Sequence, residues 1–216
     1  MQALQMRMHP GVVEQNPSSY RQRYRSAHLR QGELTGECGP LAILMAMITL
    51  GVAQRSHVRR LHYAEEGDPL TPLWSKVQES FFSRADQSEM LGLLDTVERY
   101  VHREAVTGSM RKVLAFALRR LAENGVVILG FGDESVTGAY HWVLAVGLSS
   151  KVTDQKSTAT GVLCLDATEA APTLAPYNAV LDLDSPKRGA RQLYYRGPDG
   201  RSSLMTCTRA IALSRR

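Results

Sequence analysis

Cys38, His141 and Asp166 are the residues of this chain whose types and order suit nucleophilic attack on a carbonyl. The thiolate, not the thiol, is the nucleophile, and it forms at neutral pH only beside positive charge or a base. Histidine supplies such a base, because its ordinary pKa of about 6.5 lies near neutrality. An acid at the other ring nitrogen fixes the tautomer and stabilises the imidazolium. Each residue alone also has an ordinary reading. Cys38 can be a buried structural thiol, His141 a hydrogen-bonded core residue and Asp166 a turn former. The elements that hold them decide between the two.

Glu37-Cys38-Gly39-Pro40 leads into Leu41–Leu50, a run that is apolar except at Thr49, and Gly51 follows. Proline suits a first helical turn and glycine the stop, so the run predicts a short helix, apolar all round and therefore buried all round. Cys38 then stands at its N-terminal end, where the backbone dipoles place partial positive charge. His141 opens the apolar run Tyr140–Gly147, read as a strand, and Asp166 ends the next, Gly161–Asp166.

The rest of the chain supplies the scaffold. Helices are predicted from Thr71 to about Ser83, from about Ser88 to His102, and from Ser109 to a cap at Gly125, by apolar residues at helical spacing. Strands are predicted at Val126–Gly130, Val180–Leu183, Leu193–Arg196 and Leu204–Leu213, with Ser150–Thr160 a polar loop and Pro198-Asp199-Gly200 a tight turn. Helices first and strands second predict an α+β fold with an antiparallel sheet of about five or six strands. Residues 1–30 are polar, include the turn signal Asn16-Pro17-Ser18-Ser19, and read as an arm or linker before a domain at 31–216. The remaining histidines, His28 among them, read as surface residues.

Glu37-Cys38-Gly39-Pro40 with its apolar helix, His141-Trp142-Val143 leading a strand into Gly147, and Leu165-Asp166 together resemble the papain-like cysteine peptidases. Within them the chain looks most like the C39-like group, over about residues 31–213. That resemblance implies a papain-like fold and a Cys38-His141-Asp166 triad that cleaves a protein substrate. It also implies an oxyanion donor from a glutamine upstream of the cysteine. Gln31 is the nearby candidate, seven positions before Cys38, where the family's usual spacing is one residue shorter. Leader-trimming members are fused to a membrane transporter, which this chain lacks. Stand-alone relatives include toxin domains of secreted bacterial effectors, and in that setting a cognate immunity protein is the expected inhibitor.

Composition bounds these readings. The 216 residues are 44% hydrophobic and 22% charged, which excludes a wholly disordered or collagen-like chain. The longest apolar run is too short for a bilayer, which needs about 20 residues, and no Sec-type signal is visible, so membrane association is not expected. A cytoplasmic location follows as the expectation, with delivery by a non-Sec route in the effector setting. Three cysteines without a CxxC pair read as free thiols rather than a metal site, and no cofactor is called for. The net charge of +5 includes Arg21, Arg23, Arg25 and Arg30, but no aromatic interleaving accompanies them, which argues against nucleic acid. Two other functions remain open on the sequence. The same residues can serve a glutamine deamidase, an acyltransferase or a peptidoglycan amidase. Alternatively, the chain is a basic binding module in which Cys38 is only core.

Overall fold

The computed structural model describes residues 3–14, 23–24, 27–31, 38–63, 70–80, 85–132, 140–154, 156–173, 175–184 and 192–216. In chain order the elements begin with β1 (Ala3–Met8), β2 (Val13–Glu14), β3 (Arg23–Tyr24), α1 (Cys38–Thr49) and α2 (Arg55–Val58). Then come α3 (Thr71–Ser80), α4 (Gln87–Asp95), β4 (Val101–Thr107), α5 (Met110–Ala122), β5 (Val126–Gly132) and β6 (Tyr140–Thr153). The chain ends with β7 (Lys156–Leu165), β8 (Ala179–Asp182), β9 (Leu193–Arg196), β10 (Ser202–Met205) and β11 (Cys207–Arg215). Outside the described residues lie the turn signal at 16–19, the Gly36-Glu37 approach to Cys38, and Arg21 and Arg25.

The fold is α+β with an antiparallel sheet. Among the described residues nine strands form that sheet, eight in the order β10-β9-β8-β7-β6-β5-β11-β4 and β1 paired with the second half of β6. Both faces are covered. Trp142, Leu144 and Val146 of β6 join Val126 and Ile128 of β5 in a cluster with α1, α3 and α4. Val143 and Ala145 alternate to the other face, where Val127, Leu129 and Phe131 meet Val113, Ala117 and Leu121 of α5. A strand covered on both sides has no polar face, which is why β5 and β6 read as continuous apolar runs.

Helix α1 lies between the sheet and the other helices, and nearly every residue from Cys38 to Thr49 is buried. Truncating one of its enclosed residues, such as Ile43 or Met45, to alanine removes about 2–5 kcal/mol. Its C-terminus closes in a Schellman motif. Val52 N–H donates to the Met47 carbonyl at 2.9 Å and Gly51 N–H to that of Ile48 at 3.1 Å. Gly51 takes the left-handed φ of 70° that this turn requires. Helix α5 ends in the same motif with Asn124, φ 61°, in the left-handed position, so Gly125 is one residue past the cap the sequence pattern assigns to it.

Four local readings are corrected. The helix expected from Ser88 to His102 stops at Asp95, and Val101–Thr107 is a strand instead. Val97 and Val101 fit helical spacing, but β11 needs a partner for Arg209–Arg215, and β4 supplies it. The loop expected at 150–160 is a strand ribbon, paired from Ser150 with Ala159 to Thr153 with Lys156, because β1 braces its other edge. The last expected strand is two, β10 and β11, which with β1 and β4 raises the sheet above the expected five or six strands. Finally, residues 1–30 are not wholly irregular: Ala3–Met8 pair with β6, and Val12 and Ala27 are buried in the core. The side chains of β1 are mostly exposed, Leu4 and Met6 among them, so its short apolar alternation marks no buried face and main-chain pairing with β6 holds it. No helix of the described residues is long and apolar enough to cross a membrane.

Candidate active site

The pairing of β7 with β6 stops at Leu165 opposite Leu144. Beyond that point the start of β6 is held by β5 on its other side, from Gly132 with Tyr140 onward. The first residue of α1 meets this start. Trp142 N–H donates to Cys38 Sγ at 3.5 Å, and the thiol lies 3.8 Å from the Tyr140 carbonyl. Cys38 thus flanks His141 on the main chain of β6, at the helix end where N–H groups lack intrahelical partners.

Trp142 fixes that approach from below. It is fully buried, and its indole N–H donates to the Ala85 carbonyl at 2.7 Å. Glycines clear its space: a Cβ on Gly130 would fall 2.6 Å from the indole ring, and one on Gly39 3.3 Å from it.

His141 faces Asp166, which directly follows β7. Nε2 of His141 lies 2.7 Å from Oδ2 of Asp166. Cys38, bonded to the main chain on either side of His141, also acts on the imidazole, and with Nε2 committed to Asp166 the nitrogen left to face it is Nδ1. Phe131, the cross-strand neighbour of His141, stacks on its ring at 6.4 Å, and Tyr195 meets it edge-on at 6.3 Å. Burial disfavours the imidazolium, but the hydrogen bonds and charges of Asp166 and Cys38 outweigh it and raise the His141 pKa to about 10. For Asp166, burial pushes the carboxyl up, yet His141, Tyr195 and Thr168 together hold it below the usual carboxylate value.

Asp166 is 1% exposed and every side of it is bonded. Oδ1 accepts from the Thr168 N–H at 2.9 Å and the Thr168 hydroxyl at 2.7 Å, and Oδ2 also accepts from the Tyr195 hydroxyl at 2.6 Å. The Asp166 carbonyl accepts from Asn178 at 2.8 Å and from His28 Nε2 at 2.9 Å. His28 is therefore not a surface residue as expected. It is 1% exposed and seals the base of this turn, with its own carbonyl held by Arg55 at 3.0 Å. Because a carbonyl only accepts, His28 carries its proton on Nε2, and burial lowers its pKa.

The structure thus brings Cys38, His141 and Asp166 together. Gln31 is tied through its main chain to the turn that follows Asp166. Its N–H donates to the Ala167 carbonyl at 2.7 Å, its Oε1 is buried without a hydrogen-bond partner, and it has no hydrogen bond to Cys38 among the described residues. Cys164 and Cys207 are fully buried free thiols, and burial pushes both up, Cys207 to about 12. Among the described residues no group of three or more metal-ligating side chains gathers.

Tyr195, Thr168, Asn178 and His28 were not singled out by sequence. Asp166-Ala167-Thr168 carries a weak signal, since an aspartate readily caps the N–H two residues on. Tyr195 carries another, as a tyrosine on the inward side of an alternating strand must find a partner for its hydroxyl. Compared with models of known protein families and with curated proteins, the sequence matches none.

Proposed function

We propose that this chain is a cysteine endopeptidase with a papain-like domain of the C39-like kind, acting on a protein substrate. The observation that carries the reading is the 2.7 Å contact of His141 Nε2 with buried Asp166, beside a Cys38 whose Sγ bonds the main chain on both sides of His141. A histidine whose ring is shared between a thiol and a buried carboxylate is poised to hold a thiolate–imidazolium pair.

In this reading Cys38 Sγ attacks the scissile carbonyl carbon, and the carbonyl π electrons move onto oxygen. The oxyanion takes hydrogen bonds from the Cys38 N–H at the start of α1 and from the Gln31 amide. As the tetrahedral centre collapses, the C–N bond breaks and the His141 Nδ1 proton passes to the leaving amine. Water then enters, gives a proton to Nδ1 and attacks the thioester carbonyl. Collapse releases the acid and restores the thiolate–imidazolium pair. Asp166 keeps the ring oriented throughout and does not itself take the proton.

The setting that suits a domain of this kind is the toxin portion of a secreted interbacterial effector. Delivered by a non-Sec route, it would act in a target cytoplasm and be restrained by a cognate immunity protein.

Alkylation of the folded protein against pH, with labelled cysteines mapped by mass spectrometry, tests the reading. Cys38 should label rapidly well below pH 7 and lose that behaviour in His141→Ala, while Cys164 and Cys207 stay unlabelled until unfolding. Labelling of Cys38 that rises only near the free-thiol value of about 8.5, unchanged by His141→Ala, would overturn it. Incubation with a bacterial proteome then separates the chemistries. New peptide termini mark a peptidase, an amide-to-acid mass change a deamidase, and cross-links an acyltransferase.

A further inference from the structure

Of the four donors that the described residues bring to the Asp166 carboxylate, one comes from neither the triad nor the adjoining turn. Thr168 supplies two from the adjoining turn, and His141 supplies the third. The fourth comes from β9, two strands away from β7 in the sheet. Leu193 and Tyr195 face inward there while Tyr194 and Arg196 face out, and Tyr195 is 4% exposed. A phenylalanine would fill this space without having to satisfy a buried hydroxyl. The hydroxyl is instead spent at 2.6 Å on Oδ2, the oxygen that also faces His141.

We infer that Tyr195 is a positioning residue of this site: its hydroxyl keeps the Asp166 carboxylate ionised and its Oδ2 aimed at His141 as the pH falls. The inference rests on the triad reading above. A carboxylate has about four lone-pair sites, and here all are taken, so neither oxygen is free to turn away. Withdrawing the Tyr195 donor leaves Oδ2 with one bond in a site closed to water. Burial then favours the neutral acid, which can no longer sustain the imidazolium.

The groups that face Asp166 are consistent with this role. From β6 comes His141, with Cys38 of α1 beyond it. Cys164 lies on β7 itself, and Glu169 follows in the turn, close to Asp199 and Arg201. From the N-terminal segment, His28 reaches only the main chain, with Arg55 and Arg30 behind it. Among the described residues, His141 is the cation in hydrogen-bond contact with the carboxylate. Holding Asp166 charged in acid therefore falls to His141 and to its neutral donors.

The test is iodoacetamide alkylation of Cys38, followed across the acid range into mild alkali, in three forms of the whole chain. These are the natural sequence, Tyr195→Phe, and a form carrying 3-fluorotyrosine at 195, a stronger donor. Tyr195→Phe keeps the ring against Phe131 at 5.4 Å and against His141, so packing is preserved. Its acid limb should move up by about one pH unit, about a tenfold slower labelling on that limb, the scale of a hydrogen bond to a charged group. The fluorinated form should move it down. A structural role alone would slow labelling at every pH and leave the limb in place, and coincident limbs in all three forms would overturn the inference while the triad stands. If Tyr195→Phe does not fold, the fluorinated form decides: a downward shift supports the inference and no shift overturns it. An alkaline rise in the natural sequence that ignores His141→Ala would sink both readings together.

Discussion

Asn178 grips the main chain of Asp166 at both of its polar groups: its Oδ1 accepts from the Asp166 N–H at 2.8 Å and its Nδ2 donates to the Asp166 carbonyl at 2.8 Å. The same Nδ2 reaches the Ala170 carbonyl at 3.0 Å, and the Asn178 N–H donates to Cys164 at 3.0 Å. The β7–β8 ladder ends at Cys164 with Ala179, and the Asn178 side chain continues it for one more residue. Only a side chain with both a donor and an acceptor can do this, and it sets the backbone from which the carboxylate projects.

Asn178→Ala should therefore lower stability by about 2–4 kcal/mol, since it strands buried backbone groups. Denaturant unfolding measures the loss. Asn178→Asp keeps the acceptor, loses the donor and places a second carboxylate beside the first. It should also slow Cys38 alkylation in acid. Unfolding midpoints of both variants within error of the natural sequence would contradict the clamp.

The His141–Asp166 pair should give stability a defined pH window. A folded pKa of about 10 for His141 lies above the unfolded value of about 6.5, so its contribution is full below about 6.5 and is lost as pH rises toward 10. The Asp166 pKa is depressed, so its contribution is full above about 3.9 and is lost as pH falls below that. The difference in unfolding free energy between the natural sequence and His141→Ala should be largest from about pH 4 to 6.5 and shrink above it. A difference that stays flat or grows between neutrality and pH 10 would show that the imidazolium is not favoured in the fold.

Asp166→Asn should keep the fold and remove the negative charge at Oδ2. Triads that lose this charge slow by up to about 10⁴-fold, because the histidine tautomer is no longer fixed. Here the clearer readout is Cys38 alkylation, whose rapid acid-range component should disappear. Its persistence in a folded Asp166→Asn protein would mean that Asp166 does not act on His141.

Two glycines around Trp142 should differ in what a methyl group costs. At Gly130 the new Cβ would meet the indole at 2.6 Å, a rigid ring that is also fully buried. At Gly39 the nearest atom is Met90 Sδ at 2.7 Å, on a flexible side chain. Gly130→Ala should destabilise by about 1–3 kcal/mol and disturb labelling of Cys38, whose thiol accepts from Trp142 N–H. Gly39→Ala should cost less, and thermal unfolding of the two variants would expose a reversed order.

The sequence by itself determined the central helix and the apolar strands. Pro40, the uninterrupted apolar run and Gly51 are local signals that leave one solution, a helix buried on every side with Cys38 at its start. The strands of His141 and Asp166 were legible for the same reason: apolar runs of strand length flanked by turn residues survive any tertiary context. Segments whose local pattern fits two states were decided elsewhere. Val97 and Val101 fit a helix, yet the unpaired edge of β11 drew 101–107 into the sheet. Ala3–Met8 do alternate Leu4, Met6 and Met8 with Gln5 and Arg7, but so short a period inside a polar segment does not mark a strand, and main-chain bonds to β6 make it one.

The candidate site divides in the same way. Residue type and order single out Cys38, His141 and Asp166, because nucleophile, base and orienting acid are chemical identities written in the side chains. What surrounds them is not. Tyr195, Asn178 and His28 reach Asp166 from strands and segments 29, 12 and 138 residues away in sequence, and no spacing rule connects them. Only the sheet, by stopping β7 opposite Leu144 and laying β8 and β9 beside it, brings those donors to one carboxylate. Their role depends on sharing a buried, water-free point, and burial is a property of the assembled chain.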